Sequence, residues 1–289
     1  MKVAIVQVKP RKGDVEANMR ALGDAFEQLI ADNAPDLIVL PEAALTGYFL
    51  EGAVYDLSFR AEELAERIAG LWRERGEARR AVDIALGFYE NDGGTYYNAA
   101  LYVNVEPDGE RLLHVHRKMF LPTYGVFDEE RFLSRGRRLE AFDTRFGRMA
   151  LLICEDAWHA IVPTVAAVKG ARILLIPSAS PGRGFEGPGE LETVTRWKHM
   201  LQLYASEHGV YIIYAGLTGF EGGKGMTGSS SIVDPRGELL AVAPVLGPCI
   251  VRAEIEPREI DVARASLPLL GDLQAVLPDL LADVFQETT

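Results

Sequence analysis

Three residues with reactive side chains each follow a predicted buried strand. Glu42 comes directly after the run LIVLP, Lys118 follows LLHVHR, and Cys154 ends the run MALLIC. Ligand sites in α/β proteins gather at the carboxyl ends of strands, so an acid, an amine and a thiol there could share one pocket. Together they suit nucleophilic catalysis at a carbonyl carbon: the thiol attacks, the carboxylate moves protons, and the ammonium stabilises an oxyanion.

Each of these residues taken alone has a more ordinary interpretation. A charged residue after a strand usually faces solvent, and a cysteine at a strand end is usually part of the core. Cys154 also precedes Glu155 and Asp156, whose negative charges disfavour a thiolate. If the strand continues, however, Glu155 points to the opposite face, and its backbone N–H is the group that serves as an oxyanion donor. We therefore expect Glu42, not Glu155, to be the working carboxylate.

The elements that position these residues can be read from apolar patterning. Near-continuous apolar runs, typical of strands buried on both faces, begin at Lys2, Asp36, Val82, Arg148, Ala171 and Val210. Apolar stripes at helical spacing predict helices over residues 14–31, 61–74, 160–168 and 191–207. Two hairpins turn at residues 107–109 and 234–237. The sequence therefore predicts an α/β fold with mixed sheets and, because no repeat or linker is evident, one domain over residues 1–289.

The composition and net charge of the chain indicate which kinds of binding partner to expect. With 48% hydrophobic and 25% charged residues among 289, the chain has the make-up of a soluble globular protein. Its formal net charge of -12 disfavours nucleic acid and anionic membrane surfaces as partners. No run reaches the ~18 apolar residues of a membrane span, and we read no export signal at the N-terminus. The two cysteines are expected to be reduced, so we predict a cytoplasmic protein.

Two further features bear on metal binding and assembly. His114 and His116 alternate on one strand, but no third metal ligand is evident beside them. The C-terminal stretch, residues 267–289, is rich in leucine and valine, and that apolar surface has to be covered. It packs either on the chain's own core or on a second subunit, and we predict a homodimer or higher homo-oligomer.

Three segments of the sequence resemble the motifs of a known family. The segments LPEAALTGY, HRKMFLPTYGVFDEERFL and LLICEDAW are similar to the Glu–Lys–Cys motifs of the nitrilase superfamily of carbon–nitrogen hydrolases. The resemblance covers nearly the whole chain and implies a four-layer α-β-β-α sandwich, usually paired into a dimer. It also implies a reaction in which Cys154 attacks an amide, carbamoyl or nitrile carbon, while Lys118 and the backbone N–H of Glu155 hold the oxyanion. Glu42 moves protons, ammonia or an amine leaves, and water cleaves the thioester. No metal or organic cofactor is implied.

The resemblance also suggests residues that contact the substrate. Members commonly carry a second glutamate near the lysine, for which Glu129 is the candidate and Glu130 the runner-up. The lysine loop is most similar to the glutaminase domain of glutamine-dependent NAD synthetases, in which a tyrosine at the position of Tyr124 lines the glutamine pocket. Ser178 and Ala179 follow another strand end and are expected to border the pocket.

The motifs do not identify the substrate. The first hypothesis is a small linear amide, with an N-carbamoyl amino acid or a nitrile as alternatives. A third hypothesis is a non-catalytic subunit, or one that delivers ammonia to a separate synthetase, because the 289 residues hold no ATP-binding loop of their own. His208 and Gly216 replace asparagines that are common in the family, and we expect both positions to shape the pocket.

Overall fold

The computed structural model describes residues 1–75, 80–186 and 190–286, without the side chains of residues 185, 186 and 190. The strands are β1 Lys2–Gln7, β2 Leu37–Val39, β3 Val82–Asp92, β4 Thr95–Glu106, β5 Gly109–Arg117, β6 Phe142–Thr144, β7 Gly147–Leu151, β8 Ile173–Ser178, β9 Phe185–Glu186, β10 Glu190–Leu191, β11 Tyr211–Gly216, β12 Thr218–Glu221, β13 Lys224–Thr227, β14 Ser231–Val233, β15 Leu239–Val242 and β16 Cys249–Glu254. The helices are α1 Val15–Ala31, α2 Val54–Leu57, α3 Ala61–Arg75, α4 Ile161–Val168, α5 Glu192–His208, α6 Arg258–Ser266 and α7 Leu269–Gln286.

Two six-stranded mixed sheets carry the fold. The first has the order β16-β1-β2-β3-β4-β5 and is parallel only from β1 to β3. The second has the order β15-β14-β11-β8-β7-β6 and is parallel from β11 to β7. Because β4 is antiparallel to both of its neighbours, β5 runs in the same direction as β2. The strands that precede Glu42 and Lys118 therefore end at the same edge of the first sheet.

The strands are apolar on both faces because each sheet is covered on both sides. In β1, Val3 and Ile5 face the core between the two sheets, whereas Ala4 and Val6 pack with α1 and α3 on the outer face. Helices α4 and α5 cover the second sheet. The order of layers is helices, sheet, sheet, helices, which confirms the predicted four-layer sandwich.

Helix α1 shows how local sequence sets an outer layer. Asp14 caps its start by accepting the N–H of Ala17 at 3.0 Å, an interaction that stabilises a helix by about 1 kcal/mol. Leu22 and Phe26 lie on its buried stripe, as the predicted helix over residues 14–31 requires.

Most of the leucine-rich tail forms α7, which begins after residues 267 and 268, whereas residues 287–289 lie outside the described part. Leu270 joins the main core, and α7 contacts α4 and α5. Several apolar side chains of the tail stay largely exposed on the single chain, including Leu267, Leu269, Val276, Leu280 and Leu281. Of the helices that the structure describes, none is long and apolar enough to span a bilayer.

Candidate active site

Just after β2, the backbone at Glu42 lies very close to Gly87 in the middle of β3. After β2 the chain passes along β3, and the N–H of Gly87 donates to the carbonyl of Pro41 at 3.0 Å. A Cβ atom on Gly87 would lie 2.4 Å from the Cα of Glu42, which is shorter than any real contact. Glycine is therefore required at position 87 to let Glu42 enter the interior.

Cys154 stands at a sharp turn rather than on a strand. Strand β7 ends at Leu151, and a 3₁₀ turn over Cys154–Trp158, here called the cysteine turn, follows. Cys154 has a φ of +43°, a left-handed conformation that costs a non-glycine residue of order 1–3 kcal/mol. The strand does not continue past Cys154, so the condition under which Glu155 would point to the opposite face of a strand is not met. The turn, not strand alternation, sets the direction of Glu155.

One buried carboxylate joins the cysteine turn to the lysine segment. Asp156 accepts the N–H of Ile153 at 3.0 Å on one oxygen. Its other oxygen accepts the N–H groups of Met119 and Phe120 at 2.9 and 3.1 Å. The ring of His116 lies 2.8 Å from the first oxygen. Because these partners come from both segments, Asp156 fixes the cysteine turn relative to the lysine that precedes Met119.

Lys118 lies between two glutamates at the centre of the site. Its Nζ is 2.8 Å from Oε1 of Glu42 and 2.8 Å from Oε1 of Glu129, and the lysine is fully buried. Asn98 donates from Nδ2 to the same two oxygens, at 2.7 and 3.2 Å. The hydroxyl of Tyr48 donates to Glu129. Most of these polar groups are paired with one another, but Oδ1 of Asn98 and Oε2 of Glu129 have no hydrogen-bond partner in the described part of the chain.

The protonation states follow from burial and from the mutual charges. Burial alone would lower the pKa of Lys118, but the carboxylates of Glu129 and Glu42 outweigh it and hold that pKa above its ordinary value. Burial and the charge of Glu42 raise the pKa of the Cys154 thiol well above its usual range, with Lys118 opposing them. Burial raises the pKa of Glu129 to about 7 despite the nearby ammonium. The resting site therefore holds an ammonium ion and a neutral thiol.

The predicted substrate contacts divide into buried and exposed positions. Glu129 is buried among the charged groups, whereas Glu130 is exposed. Ser178 is also buried, and its hydroxyl has no hydrogen-bond partner in the described part of the chain. The backbone N–H of Ala179 donates to Oε2 of Glu42 at 2.6 Å, so this residue orients the glutamate. Tyr124 is 47% exposed at the rim.

The two positions at which the sequence departs from the family have different surroundings. Gly216 ends β11 directly opposite Ser178 at the end of β8, so it lies beside the site. His208 is the last residue of α5 and faces α4, where its Nε2 lies 3.1 Å from Oγ1 of Thr164. The expectation that His208 shapes the pocket is therefore wrong.

Sequence reasoning missed several supporting residues. Asn98 lies within β4, and nothing in its neighbourhood indicates that its side chain reaches two glutamates. Tyr48 is held through its backbone, because Glu221 accepts its N–H at 2.9 Å and its carbonyl accepts the hydroxyl of Tyr89 at 2.6 Å. The motif LPEAALTGY ends in Gly47 and Tyr48, only a few residues after Glu42. That short separation is the sequence feature that could have indicated a place for Tyr48 near the site.

A cavity of about 240 Å³ borders the site. Tyr48, Tyr89, Phe127, Glu129 and Lys224 line part of it. One carboxylate oxygen of Glu129, Oε2, is buried without a hydrogen-bond partner in the described part of the chain. An unpaired buried acceptor of this kind is suited to an N–H group of a ligand.

Comparison with known protein families identifies the family to which the chain belongs. The family model described as carbon-nitrogen hydrolase matches residues 2–265. The chain belongs to the carbon–nitrogen hydrolase family. This membership confirms the resemblance to the nitrilase superfamily inferred from the three motifs, and it identifies the chain as a hydrolase of carbon–nitrogen bonds.

Individual members of the family differ in length. The chain is 30% identical over 258 residues to the glutamine-dependent NAD(+) synthetase of Thermotoga maritima, which covers 89% of this chain and 42% of the synthetase. It thus spans less than half of that relative. Identity to the citrullinase of Francisella tularensis subsp. tularensis is 27% over 287 residues, covering 96% of this chain and 97% of the citrullinase. The structure of a carbon-nitrogen hydrolase from Helicobacter pylori G27 superposes with a TM-score of 0.80 at 26% identity, covering 94% of both chains.

Proposed function

We propose that this hydrolase cleaves the C–N bond of a small linear carboxamide through a thioester on Cys154 and releases ammonia. The observation that carries the proposal is the buried Lys118 ammonium, held 2.8 Å from both Glu42 and Glu129 next to a cysteine on a left-handed turn. This arrangement offers a nucleophile, a proton acceptor and an oxyanion partner.

In the acylation step, the sulfur of Cys154 bonds to the amide carbon while its proton passes to the carboxylate of Glu42. The carbonyl oxygen becomes an oxyanion, which the Lys118 ammonium and the backbone N–H of Glu155 stabilise. The tetrahedral intermediate then collapses. Its C–N bond breaks, and the leaving nitrogen takes the proton from Glu42 and departs as ammonia. A neutral resting thiol fits this scheme, because the base removes the proton only as the new bond forms.

In the second half of the reaction, water replaces ammonia beside Glu42. The carboxylate takes a proton from the water as its oxygen attacks the thioester carbon. The C–S bond breaks, the proton returns to the sulfur of Cys154, and a carboxylic acid leaves. The hydrogen bond from Ala179 and the contact with Lys118 keep Glu42 in one orientation through both steps.

Glu129 is proposed to hold the substrate rather than to transfer protons. Its Oε1 is occupied by Lys118 and Tyr48, but Oε2 has no partner in the described part of the chain. That oxygen can accept an N–H of the carboxamide and so present the amide carbon to the cysteine. The adjoining cavity of about 240 Å³ leaves room for a short side chain, which supports a small substrate.

A ureido compound is the second candidate substrate, because the citrullinase is matched over 97% of its length. Hydrolysis of an N-carbamoyl group would give carbon dioxide as well as ammonia, whereas a carboxamide gives ammonia and a carboxylic acid. A third candidate role is delivery of ammonia to a synthetase partner, because the match to the NAD(+) synthetase covers only 42% of that protein.

A panel of short carboxamides, ureido acids and nitriles, assayed for ammonia and carbon dioxide, tests the proposal. We expect ammonia without carbon dioxide from at least one carboxamide, and no ammonia above background with C154A. The matched control is C249A, because Cys249 is the other free cysteine of the chain and lies on β16. Equal activity of C154A and the unsubstituted enzyme would contradict the proposal. Carbon dioxide release from the ureido acids alone would favour the second candidate.

We also propose that the chain forms a homodimer through the exposed apolar side of α7. Its side chains Leu269, Val276, Leu280 and Leu281 are each more than two-fifths exposed on the single chain. Burial of such a surface is a common source of stable dimers. Light scattering during size-exclusion chromatography should give twice the chain's mass of 31.7 kDa, and a monomer would contradict the proposal.

A further inference from the structure

A second cavity lies beside a short arginine-rich segment, residues 134–140. The backbone of this segment is fixed at three points. The N–H of Ser134 donates to the carbonyl of Tyr96 at 2.8 Å, and the N–H of Gly136 donates to the carbonyl of Lys118 at 2.7 Å. Further along, Lys169 Nζ donates to the carbonyl of Leu139 at 2.6 Å. The side chains between these anchors therefore project from a held backbone.

The position of Gly136 is fixed by sterics as well. A Cβ atom at this position would lie 1.9 Å from the carbonyl oxygen of Arg117, so only glycine lets the segment lie this close to the end of β5. The close approach brings the arginines of the segment next to the edge of the first sheet.

Three guanidinium groups of the segment line a cavity of about 350 Å³. They belong to Arg135, Arg137 and Arg138, which are exposed to solvent, and none has an ion-pair partner among the described residues. The carboxylate that borders the cavity is that of Glu140. Three unpaired arginines beside one carboxylate make this cavity locally positive, although the net charge of the chain is -12.

Two other side chains of the cavity wall are already held in place. Arg117 donates to Glu90 at 2.6 and 3.0 Å and to Asp92 at 2.7 Å, so its charge is compensated. His114 stacks on Phe142 with ring centroids 4.5 Å apart. Its Nε2 is buried and has no hydrogen-bond partner in the described part of the chain.

We propose that this cavity binds a small molecule that carries one or two phosphate groups. Planar guanidinium groups match phosphate oxygens in paired hydrogen bonds, and three of them can surround one phosphate group or two joined ones. The volume of about 350 Å³ suits a small ligand. The net charge of -12 opposes a long polyanion such as nucleic acid at the same place.

The phosphate site does not include the reacting groups of the hydrolytic site. Arg135 and Arg137 also line a neighbouring cavity, which Tyr124 and Glu155 border. None of Glu42, Glu129 and Cys154 lines the cavity of the phosphate site, and the connection to Lys118 runs through its backbone carbonyl, not its ammonium group. Binding of phosphate here is therefore independent of whether Cys154 is the nucleophile. The variant C154A should bind a phosphate probe as the unsubstituted protein does.

Calorimetric titration of the full chain with inorganic pyrophosphate tests the site. We expect saturable binding of one pyrophosphate per chain that weakens as salt is raised. The affinity should fall at least about tenfold in R137A/R138A, because two of the three guanidinium groups are removed. In R137K/R138K, which keeps the charge but loses the paired hydrogen bonds, we expect an intermediate loss.

The matched control is R20A/R111A, which removes the same charge from two exposed arginines that do not line the cavity. It should bind pyrophosphate with the affinity of the unsubstituted protein. The proposal is overturned if the unsubstituted chain shows no saturable binding. It is also overturned if R137A/R138A and R20A/R111A lose affinity equally, since that would reflect net charge alone.

Discussion

The carboxylate of Asp156 lies 2.8 Å from Nε2 of His116, and both side chains are buried. The same carboxylate accepts three backbone N–H groups, which belong to Ile153 just before the cysteine turn and to the two residues after Lys118. Its pKa is lowered because the hydrogen bond and the charge of His116, together with those N–H groups, overcome the effect of burial. The distance between the proposed nucleophile and the ammonium thus depends on a residue that touches neither.

Replacement of Asp156 by asparagine should show whether Asp156 positions the reacting groups or contributes to substrate binding. One acceptor oxygen becomes an NH₂ group that faces donors, so a buried hydrogen bond is lost at a cost of about 1–3 kcal/mol. We expect kcat to fall by about 10- to 100-fold with little change in KM. H116Q, which can keep a donor toward Asp156, should retain most activity. A rise in KM at constant kcat in D156N would contradict a positioning role.

Two glutamates near the cysteine should differ sharply in importance. Glu42 is buried against Lys118, whereas the carboxylate of Glu155 accepts the hydroxyl of Tyr124 at 2.9 Å in an exposed contact. We expect E42Q to reduce kcat by about 10²–10⁴-fold, the usual worth of a general base. E155Q should cost less than about tenfold, since its proposed role is played by its backbone N–H. Equal losses of activity in E42Q and E155Q, measured by ammonia release, would contradict the assignment of Glu42 as the base.

The raised pKa of Glu129 predicts how stability depends on pH. Its pKa is about 7 in the folded chain against an ordinary 4.5, so the folded state binds the proton more tightly. The contribution to stability is complete below the unfolded pKa and is lost as pH rises through the folded pKa. E129Q cannot titrate. The stability of the unsubstituted chain relative to E129Q should therefore fall between about pH 5 and about pH 8.5, by up to roughly 3 kcal/mol.

Urea unfolding of both proteins at the two pH values measures this difference. Tyr48 and Lys118 can still donate to the amide oxygen of E129Q, so the variant keeps the packing and differs mainly in its inability to ionise. A stability difference that is the same at both pH values would contradict the assigned shift.

The close approach between Gly87 and Glu42 can be tested without changing a reactive side chain. G87A places a methyl group 2.4 Å from the Cα of Glu42, so we expect a loss of more than about 2 kcal/mol in unfolding free energy and a large fall in activity. G70A is the control, because nothing lies within 4 Å of a Cβ atom there and Gly70 sits within helix α3. It should be neutral or stabilise by up to about 1 kcal/mol. Unchanged stability and activity in G87A would contradict the close approach.

Some of these features could be predicted from the sequence, and others could not. Glu42 and Lys118 could be found because each follows a strand, and strand direction then brings them to one edge. The motif resemblance implied Glu129 with Glu130 as an alternative, and the structure shows which one is buried. Asn98 could not be found, because its partners are 56 and 31 residues away and only the sheet brings them together.

The turn at Cys154 was also out of reach of sequence patterns. An apolar run that ends in a cysteine gives no sign that the strand stops at Leu151, since glycine, the usual marker of a positive φ, is absent from the turn. The free arginines of residues 134–140 were missed for a different reason. Their sequence shows the charge, but only the structure shows that neighbouring acids do not neutralise it.

The most direct test of the proposed mechanism is a search for the acyl group on Cys154. The enzyme and the E42Q variant would be quenched in acid during turnover of the carboxamide that releases ammonia fastest, then digested and analysed by mass spectrometry. We predict an added mass equal to the substrate minus ammonia on the peptide that contains Cys154, more abundant in E42Q if deacylation is slowed more than acylation. The peptide that contains Cys249 should stay unmodified. An acyl group absent from Cys154 in both proteins, with ammonia release undiminished in C154A, would contradict the central claim.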